Sequence, residues 1–487
     1  MNELFLGIDL GTSGVKAAAI DGADRVVAQA TAPLGLQRPQ PGWSEQSPDD
    51  WWQATLAAVT ALPAEARRAV RALGLSGQMH GAVLLDKAGE PLRPAILWND
   101  GRSARQCAEL ERREPLSRSI TGNLAMPGFT APKLLWVREH EPEVFARTAR
   151  VLLQDYLRLR LTGERLSDMS DAAGTLWLDV ARRDWSDAML AATGLTRAHM
   201  PGLVEGSAPA GKLLPEVARQ LGLDPVPVAG GGGDNAASAV GCGVVAPGQA
   251  LLSLGTSGVL FVVTDRFRPN PERAAHAFCH ALPGLWHQMS VMLSAASTLD
   301  WVAQLTGLAD VPAAAAAAEQ RGLHAATPLF LPYLAGERTP HNDADARGVF
   351  FRLQADTAPA DLVVAVLEGV AHGMREGLDA LTAAGSHVGS IDVVGGGARL
   401  PYWLRLIASA LERRLVLRAG GEVGAALGAA RLARLAAGAD PASACTAPPV
   451  QSVFEPDPAL AGLLRRRRPA FAAVYRQLKD TFKEFPA

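Results

Sequence analysis

Two short turns of small residues are candidates for holding phosphate groups. Residues 11–14 read Gly-Thr-Ser-Gly, and the same letters recur at residues 255–258, each time after an apolar run that predicts a buried strand. Such a turn presents backbone N–H groups and two hydroxyls without a bulky side chain, which suits phosphate oxygens. A single copy would also fit a plain β-hairpin. Two copies, about half a chain apart, indicate that each half begins with the same strand–turn–strand unit.

An acidic side chain accompanies the first turn. Asp9 lies two residues before Gly11, at the end of the predicted strand. A carboxylate beside a phosphate is unfavourable unless a cation lies between them, so Asp9 predicts a Mg²⁺ ion bound through water. The alternative is a carboxylate that only caps the turn.

Asp234 is the candidate for acid–base chemistry. It follows four consecutive glycines, Gly230–Gly233, and opens a predicted helix whose dipole favours the ionised carboxylate. A carboxylate in an uncluttered cleft can accept the proton of a substrate hydroxyl while that oxygen attacks a γ-phosphate. Phosphoryl transfer depends mostly on positioning and charge neutralisation, so a strong base is not required. The alternative is an ordinary Asp N-cap.

Two polar segments have the composition of ligand contacts. The predicted turn at residues 78–80, Gln-Met-His, offers two hydrogen-bonding side chains beside a flexible apolar one. The segment LWNDGRS places Trp98 beside Asn99 and further polar groups, and an aromatic face with polar neighbours suits a sugar or polyol. Met79 and Trp98 would equally suit packing, and a lone histidine such as His80 is more often structural.

A third glycine turn, VVGGGAR at residues 393–399, lies between a predicted strand and a helix start. Its glycines allow a base or ribose to approach the backbone, although glycines also serve helix–sheet packing. The chain contains neither a G-x-G-x-x-G motif nor a Walker GK[ST] motif. The Rossmann and P-loop fingerprints are therefore missing.

Short apolar runs alternate with longer amphipathic segments, which predicts an α/β architecture. LFLGIDL and VKAAAID predict an antiparallel hairpin around the first turn. We place the domain boundary near residues 241–248, so that residues 1–241 carry the sugar pocket and first phosphate turn, and residues 242–487 carry the other two glycine turns. A long helix near Gly424, a Pro-rich loop over residues 440–458 and a final amphipathic helix are expected to follow.

The bulk composition is that of a globular enzyme with two large domains. At 487 residues, the chain is too long to fold around one compact hydrophobic core. Its net charge of -2 gives no reason to expect a nucleic acid or an anionic membrane as partner. The four widely separated cysteines indicate neither a zinc site nor disulfides. Without a secretory signal or a membrane span in the pattern, we expect a cytoplasmic protein. Arg465–Arg468 are expected on the solvated face of a terminal helix.

These motifs, in this order and spacing, resemble the FGGY carbohydrate kinases, and GFTAPKLLWVREH at residues 128–140 resembles that family's first signature. The resemblance implies an actin-type ATPase fold, in which two ribonuclease-H-like domains enclose a nucleotide and sugar cleft. Segments such as SGQMHGAVLLD and ILWNDGR resemble members that phosphorylate D-xylulose with ATP. Relatives are often homodimers.

The resemblance also implies roles for residues. Asp234 would be the base at the sugar hydroxyl, and Asp9 would hold Mg²⁺ and the phosphates. The remaining positions fall into three groups: Met79, His80, Trp98 and Asn235 at the sugar; Gly11, Thr12, Ser13, Lys16, Gly255 and Thr256 at the phosphates; and Gly396, Gly397 and Ala398 at the adenosine.

The sequence departs from the family pattern at two places. Leu400-Pro401 stands where relatives often carry a polar residue, and LLQDYLRLRLTGE lacks a lysine that relatives have, so we assign that stretch no function. Alternative acceptors are L-ribulose, gluconate and glycerol, although glycerol kinases usually present Arg-Glu at the positions of Met79 and His80. A non-sugar actin-type ATPase is the alternative of another class.

Overall fold

The protein is described from a computed structural model that covers residues 3–419 and 424–484. The outermost residues of the two predicted domains, 1–2 and 485–487, lie outside this description. The strands of the first half are β1 Leu4–Leu10, β2 Gly14–Asp21, β3 Val26–Pro33, β4 Glu45–Gln46, β5 Val70–Gly77, β6 Val83–Leu85, β7 Ala95–Ile96, β8 Arg150–Leu152, β9 Leu166–Asp168, β10 Leu178–Asp179, β11 Asp184–Trp185, β12 Gly202–Val204, β13 Pro209–Lys212, β14 Pro227–Ala229 and β15 Gly232–Gly233. Its helices are α1 Pro48–Thr60, α2 Ala64–Arg68, α3 Ala104–Arg113, α4 Ser117–Thr121, α5 Thr130–His140, α6 Pro142–Arg147, α7 Asp155–Thr162, α8 Met169–Ala173, α9 Asp187–Thr193, α10 Pro215–Leu221 and α11 Asp234–Cys242.

The second half follows the same alternation. Its strands are β16 Ala250–Leu254, β17 Gly258–Thr264, β18 His276–Cys279, β19 Trp286–Met292, β20 Leu329–Leu331, β21 Val349–Phe351, β22 Ile391–Val394, β23 Leu415–Arg418 and β24 Val450–Phe454. Its helices are α12 Ser297–Thr306, α13 Val311–Arg321, α14 Pro359–Ala383, α15 Pro401–Leu411, α16 Gly424–Ala436, α17 Pro441–Ala444, α18 Pro458–Leu478 and α19 Thr481–Glu484. Short 3₁₀ turns cover Arg197–His199, Pro271–Arg273 and Gly396–Arg399.

Each half is built on a mixed seven-stranded sheet. The first sheet runs β13-β14-β5-β1-β2-β3, with β15 beside β5, and the second runs β18-β19-β17-β16-β22-β23-β24. The hairpin β1–β2 and its parallel neighbour β5 correspond to the hairpin β16–β17 and its parallel neighbour β22. This repeated order confirms the predicted α/β fold with two ribonuclease-H-like domains.

Helix α16 crosses from the second half of the sequence back onto the first sheet. It lies so close that a Cβ at Gly7 would be 1.9 Å from the carbonyl oxygen of Ala426, and a Cβ at Gly74 would be 2.0 Å from that of Ala429. It also crosses α11 closely, because a Cβ at Gly428 would be 1.7 Å from a backbone oxygen of α11. The two domains predicted on either side of residues 241–248 are therefore in close contact, because α16 of the second packs on the sheet of the first.

One expectation for the C-terminal region is wrong, because the Pro-rich stretch contains β24, which pairs with β23 and extends the second sheet. The expected solvated face of the arginine run holds for Arg465 and Arg466, which are exposed on α18. Arg467 departs from it, since it is buried and paired with the buried carboxylate of Glu368. No helix in the described ranges has the length and apolar content needed to span a bilayer.

Candidate active site

A cavity of about 300 Å³ lies between the two halves of the chain. It brings together the predicted base and all the residues predicted to contact the sugar. The lining residues are Met79, His80, Trp98, Met126, Gly128, Phe129, Asp234 and Asn235 from the first half, and Ser253, Ser257, Val259, His276, Phe278, Met289, Val291 and Arg338 from the second.

Asp234 is the first residue of α11 and faces the cavity. Burial raises the pKa of its carboxyl to about 6, although hydrogen bonds from Asn235 oppose this shift. The backbone N–H and the side-chain Nδ2 of Asn235 donate to Asp234 Oδ1 at 2.7 and 2.9 Å. The second carboxylate oxygen is thus left for a ligand, and at neutral pH the group is ionised and able to accept a proton.

Asp9 lies close to Asp234 at the end of β1. Burial and, to a lesser extent, the nearby charge of Asp234 raise the pKa of Asp9 to about 6, against the opposing effects of Ser76 and Lys16. The Oδ1 atom of Asp9 is buried and has no hydrogen-bond partner within the described part of the chain. An orphaned carboxylate oxygen beside a second carboxylate is the environment in which a cation would be stabilising.

His80 has a strained backbone and a fixed ring. Its φ is +71°, a left-handed conformation that is unfavourable for a residue other than glycine. Its Nδ1 donates to the carbonyl of Gly174 at 2.6 Å, since a carbonyl can only accept. Burial, together with the charges of Lys133 and Arg338, lowers the pKa of His80 to about 3. The imidazole is therefore neutral, and its Nε2 is left as a hydrogen-bond acceptor.

Helix α5, which lies in the signature segment of residues 128–140, supports this strained residue. Lys133 Nζ and Thr130 Oγ1 donate to the carbonyl oxygen of His80 at 2.7 and 3.2 Å. The ring of Phe129 packs edge-on against the imidazole, with a centroid distance of 4.7 Å. Lys133 is fully buried, and burial lowers the pKa of its amino group well below the ordinary value, so this hydrogen bond to the backbone oxygen is shielded from water.

The first phosphate turn is joined to the cavity through Trp98. The indole Nε1 donates to Thr12 Oγ1 at 3.0 Å, and the Thr12 hydroxyl donates to Gln78 Oε1 at 2.8 Å. Because the Thr12 hydroxyl donates its proton to Gln78, it cannot also donate to a ligand. Gly11 N donates to Gly14 O at 3.0 Å and closes the turn, so backbone groups and the exposed Ser13 are the donors that remain.

The second phosphate turn and the third glycine turn meet at one edge of the second sheet. Gly255 follows β16, and the glycines follow its parallel neighbour β22, so both turns lie at carboxyl ends of adjacent strands, where α/β proteins bind ligands. Thr256 and Gly396 are exposed, whereas Gly397 and Ala398 are buried. At this edge the exposed backbone therefore belongs to Gly395 and Gly396, the first two glycines of the third turn.

Several pocket residues from the second half were not predicted. His276, Phe278 and Arg338 line the cavity. They lie far along the chain from every first-half motif, and no spacing in the sequence relates them to Asp234 or His80. Only the packing of the two halves brings them to the same cavity.

Comparison with protein families agrees with this geometry. The N-terminal and C-terminal domain models of the FGGY family of carbohydrate kinases match residues 4–241 and 250–437. The chain belongs to the FGGY family of carbohydrate kinases. The resemblance found in the motifs is thereby confirmed, and membership in a kinase family implies ATP as the phosphoryl donor.

Relatives of this FGGY family member are similar over its whole length. The chain is 55% identical to the xylulose kinase of Escherichia coli (strain K12), over 98% of this chain and 99% of the relative. A solved structure of a xyloylose kinase from Brucella ovis has a TM-score of 0.94 and 51% identity, and covers 98% of this chain and 100% of its own. A gluconate kinase structure from Lactobacillus acidophilus has a TM-score of 0.94 and 23% identity, with full coverage of both chains, and shows the fold alone.

Proposed function

We propose that this carbohydrate kinase phosphorylates D-xylulose with ATP and forms D-xylulose 5-phosphate and ADP. The observation that carries the proposal is the 55% identity to a xylulose kinase over 98% of the chain, a span that includes both walls of the cavity. The cavity of about 300 Å³ has room for a five-carbon sugar.

Asp234 would act as the base at the terminal hydroxyl of the sugar. Its carboxylate faces the cavity and would accept the proton as the hydroxyl oxygen attacks the γ-phosphate. Met79, Trp98 and Asn235 would contact the sugar, and neutral His80 would accept a hydrogen bond from a sugar hydroxyl. A buried acceptor of this kind penalises a substrate that lacks the matching hydroxyl.

Magnesium fits the surroundings of Asp9. The partnerless Oδ1 and the neighbouring charge of Asp234 both favour a cation there. Because the protein supplies few ligands at this point, water and phosphate oxygens would complete the coordination of the ion. When bound, the ion supplies positive charge that neutralises the transferring phosphoryl group.

The glycine turns would hold the nucleotide from both halves. Gly11, Ser13 and Lys16 of the first hairpin, with the backbone of Thr12, would contact the phosphates. Gly255 and Thr256 would do so from the second hairpin, and the 3₁₀ turn containing Gly396, Gly397 and Ala398 would contact the adenosine. The homodimer and the cytoplasmic location stay predictions.

The experiment is an ADP-release assay with Mg-ATP and a panel of D-xylulose, L-ribulose, gluconate and glycerol. We expect kcat/KM for D-xylulose to exceed the others by about 100-fold, the order of discrimination that paired polar groups give. A higher kcat/KM with another acceptor would identify that acceptor, rather than D-xylulose, as the substrate. ADP release that does not depend on any sugar would favour the actin-type ATPase without a sugar substrate.

A further inference from the structure

The backbone that carries Asp234 is held by side chains from a distant segment. Residues 229–233 read Ala-Gly-Gly-Gly-Gly, so this loop has almost no side chains with which to anchor itself. Glycine also loses the most conformational freedom on ordering. Contacts from outside the loop must therefore set the direction in which α11 begins.

Arg158 of α7 binds the start of the loop. It is buried, with 1% of its surface exposed. Its Nη1 donates to Ala229 O at 2.7 Å, its Nη2 donates to Gly230 O, and its Nε donates to Leu166 O at 3.2 Å. The planar guanidinium thus fixes two consecutive loop carbonyls at once, which a lysine could not do.

Gln154 and Ser170 bind the end of the loop. Gln154 Nε2 donates to Gly232 O at 3.1 Å, and Gly233 N donates to Ser170 Oγ at 3.0 Å. Both side chains are buried. Gly233 directly precedes Asp234, so the last fixed atom lies one residue from the proposed base.

Three buried acids surround these contacts and orient them. Carboxylate atoms of Asp155, Asp168 and Asp171 lie within 4.8 Å of one another, and Asp155 lies 3.8 Å from the Arg158 guanidinium. Asp168 Oδ1 accepts the Ser170 hydroxyl proton at 2.5 Å, so the Ser170 oxygen must present a lone pair to the loop. Burial raises the pKa of Asp171 well above its ordinary value, and the charges of its acidic neighbours add to this shift.

We propose that Arg158, Gln154 and Ser170 are positioning residues for Asp234, which hold the glycine loop so that this carboxylate meets the sugar hydroxyl. The inference rests on the proposed role of Asp234 as the base. Displacement of a reacting group by about 1 Å can cost about 100-fold in rate. The residues belong to the stretch LLQDYLRLRLTGE, to which the sequence assigned no function, and to the segment that follows it.

The test is a double-mutant cycle with Arg158→Lys and Asp234→Asn, assayed with the acceptor that the unaltered enzyme phosphorylates best. We expect Arg158→Lys to lower kcat by roughly 30-fold in the native background, with KM for ATP changed less than about twofold. In the Asp234→Asn background the same change should lower kcat by less than about threefold, because no base remains to be positioned. Ser170→Ala, which removes one contact, should show the same coupling with a smaller loss.

Arg467→Lys is the matched control, since it alters another buried arginine that binds backbone carbonyls away from the cavity. Its effect on kcat should be small and equal in both backgrounds, while its melting temperature should fall. Equal kcat losses for Arg158→Lys and Ser170→Ala in both backgrounds would overturn the positioning role and leave Asp234 as the base. Near-normal kcat for Asp234→Asn alone would overturn both proposals.

Discussion

Burial shifts the pKa values of titratable side chains in and beside the cavity. It raises that of Asp9 and of Asp234 to about 6 and lowers that of His80 to about 3. At neutral pH the two carboxylates are therefore ionised and the imidazole is uncharged. These are the protonation states that the proposed base, cation site and neutral hydrogen-bond acceptor require.

A pH dependence follows at the residue scale. Since Asp234 must be ionised to act as base and its pKa is about 6, kcat/KM for the sugar should fall as the pH decreases through that value. We expect a plateau above about pH 7 and a falling limb toward pH 5, measured at constant ionic strength. Asp234→Asn should lose the contribution of Asp234 to that limb, so that only the titration of Asp9, whose pKa is also about 6, remains. A level profile of the unaltered enzyme down to pH 5 would contradict the role of the base.

His80→Ala should weaken sugar binding selectively. Loss of the neutral acceptor leaves a sugar hydroxyl unpaired, so KM for the sugar should rise about 10-fold or more, while KM for ATP stays within about twofold. Steady-state kinetics with each substrate varied in turn give both constants. His387→Ala, at an exposed position, is the control and should change neither constant. An equal rise in both constants would remove His80 from the sugar site.

At the scale of elements, the crossing of α11 and α16 depends on glycine. A Cβ at Gly428 would lie 1.7 Å from Ala237 O, so Gly428→Ala must push the helices apart. We expect the free energy of unfolding to fall by roughly 1–3 kcal/mol, as for an overpacked core. In α18, a Cβ at Gly462 would contact only a flexible arginine side chain, at 3.7 Å. Gly462→Ala should therefore raise the free energy of unfolding by about 0.5–1 kcal/mol. Denaturant titration of both variants checks this, and equal effects would contradict the tight crossing.

One buried arginine of helix α18 forms an ion pair with helix α14 of the second domain. Arg467 Nε and Nη2 donate to the Glu368 carboxylate at 2.5 and 2.8 Å, and Nη2 also donates to Thr327 O at 2.7 Å. Arg467→Met leaves the buried Glu368 carboxylate with His372, at 3.2 Å, as its remaining side-chain partner among the described residues. The free energy of unfolding should therefore fall by about 3 kcal/mol, the lower end for a broken buried ion pair. The exposed neighbour Arg466→Met should change it by less than about 0.5 kcal/mol. Similar melting temperatures for the two variants would show that the pair is not important for stability.

At the scale of the whole molecule, the cavity is closed by walls from both halves. Asp234 and His80 come from the first half, and Ser257, His276 and Arg338 come from the second. A ligand that contacts both walls binds the closed arrangement of the two halves more tightly than an open one, and it therefore shifts the equilibrium toward closure. Domain closure is therefore expected to accompany binding.

Closure can be measured by small-angle X-ray scattering. Saturating D-xylulose with a non-hydrolysable ATP analogue should reduce the radius of gyration, because ligands bridge the two halves and expel water. Asp234→Asn should show the same reduction, since it removes the base and leaves the other lining residues. An unchanged radius of gyration with both ligands bound would contradict closure.

Local patterns in the sequence predicted much of the fold. The hairpin of β1 and β2 and the helix that begins at Asp234 are confirmed. Each depends on residues within a few positions of one another, because strand alternation, turn chemistry and helix caps are short-range properties of the backbone. The same motifs led to the family, which the domain comparison confirms.

Tertiary structure alone decided which polar side chains are buried and what they contact. Arg467 lies in a run of four arginines, and it is buried by its contacts with Glu368, 99 residues earlier, and with the carbonyl of Thr327. Arg158 likewise binds loop carbonyls 71 and 72 residues later in the chain. The sequence by itself determined the strands, turns and candidate acids, whereas the partners of buried charges depend on how distant elements pack. A buried charge is stable only when such a partner lies next to it in the fold. The spacing of residues along the chain does not show which distant residues come together.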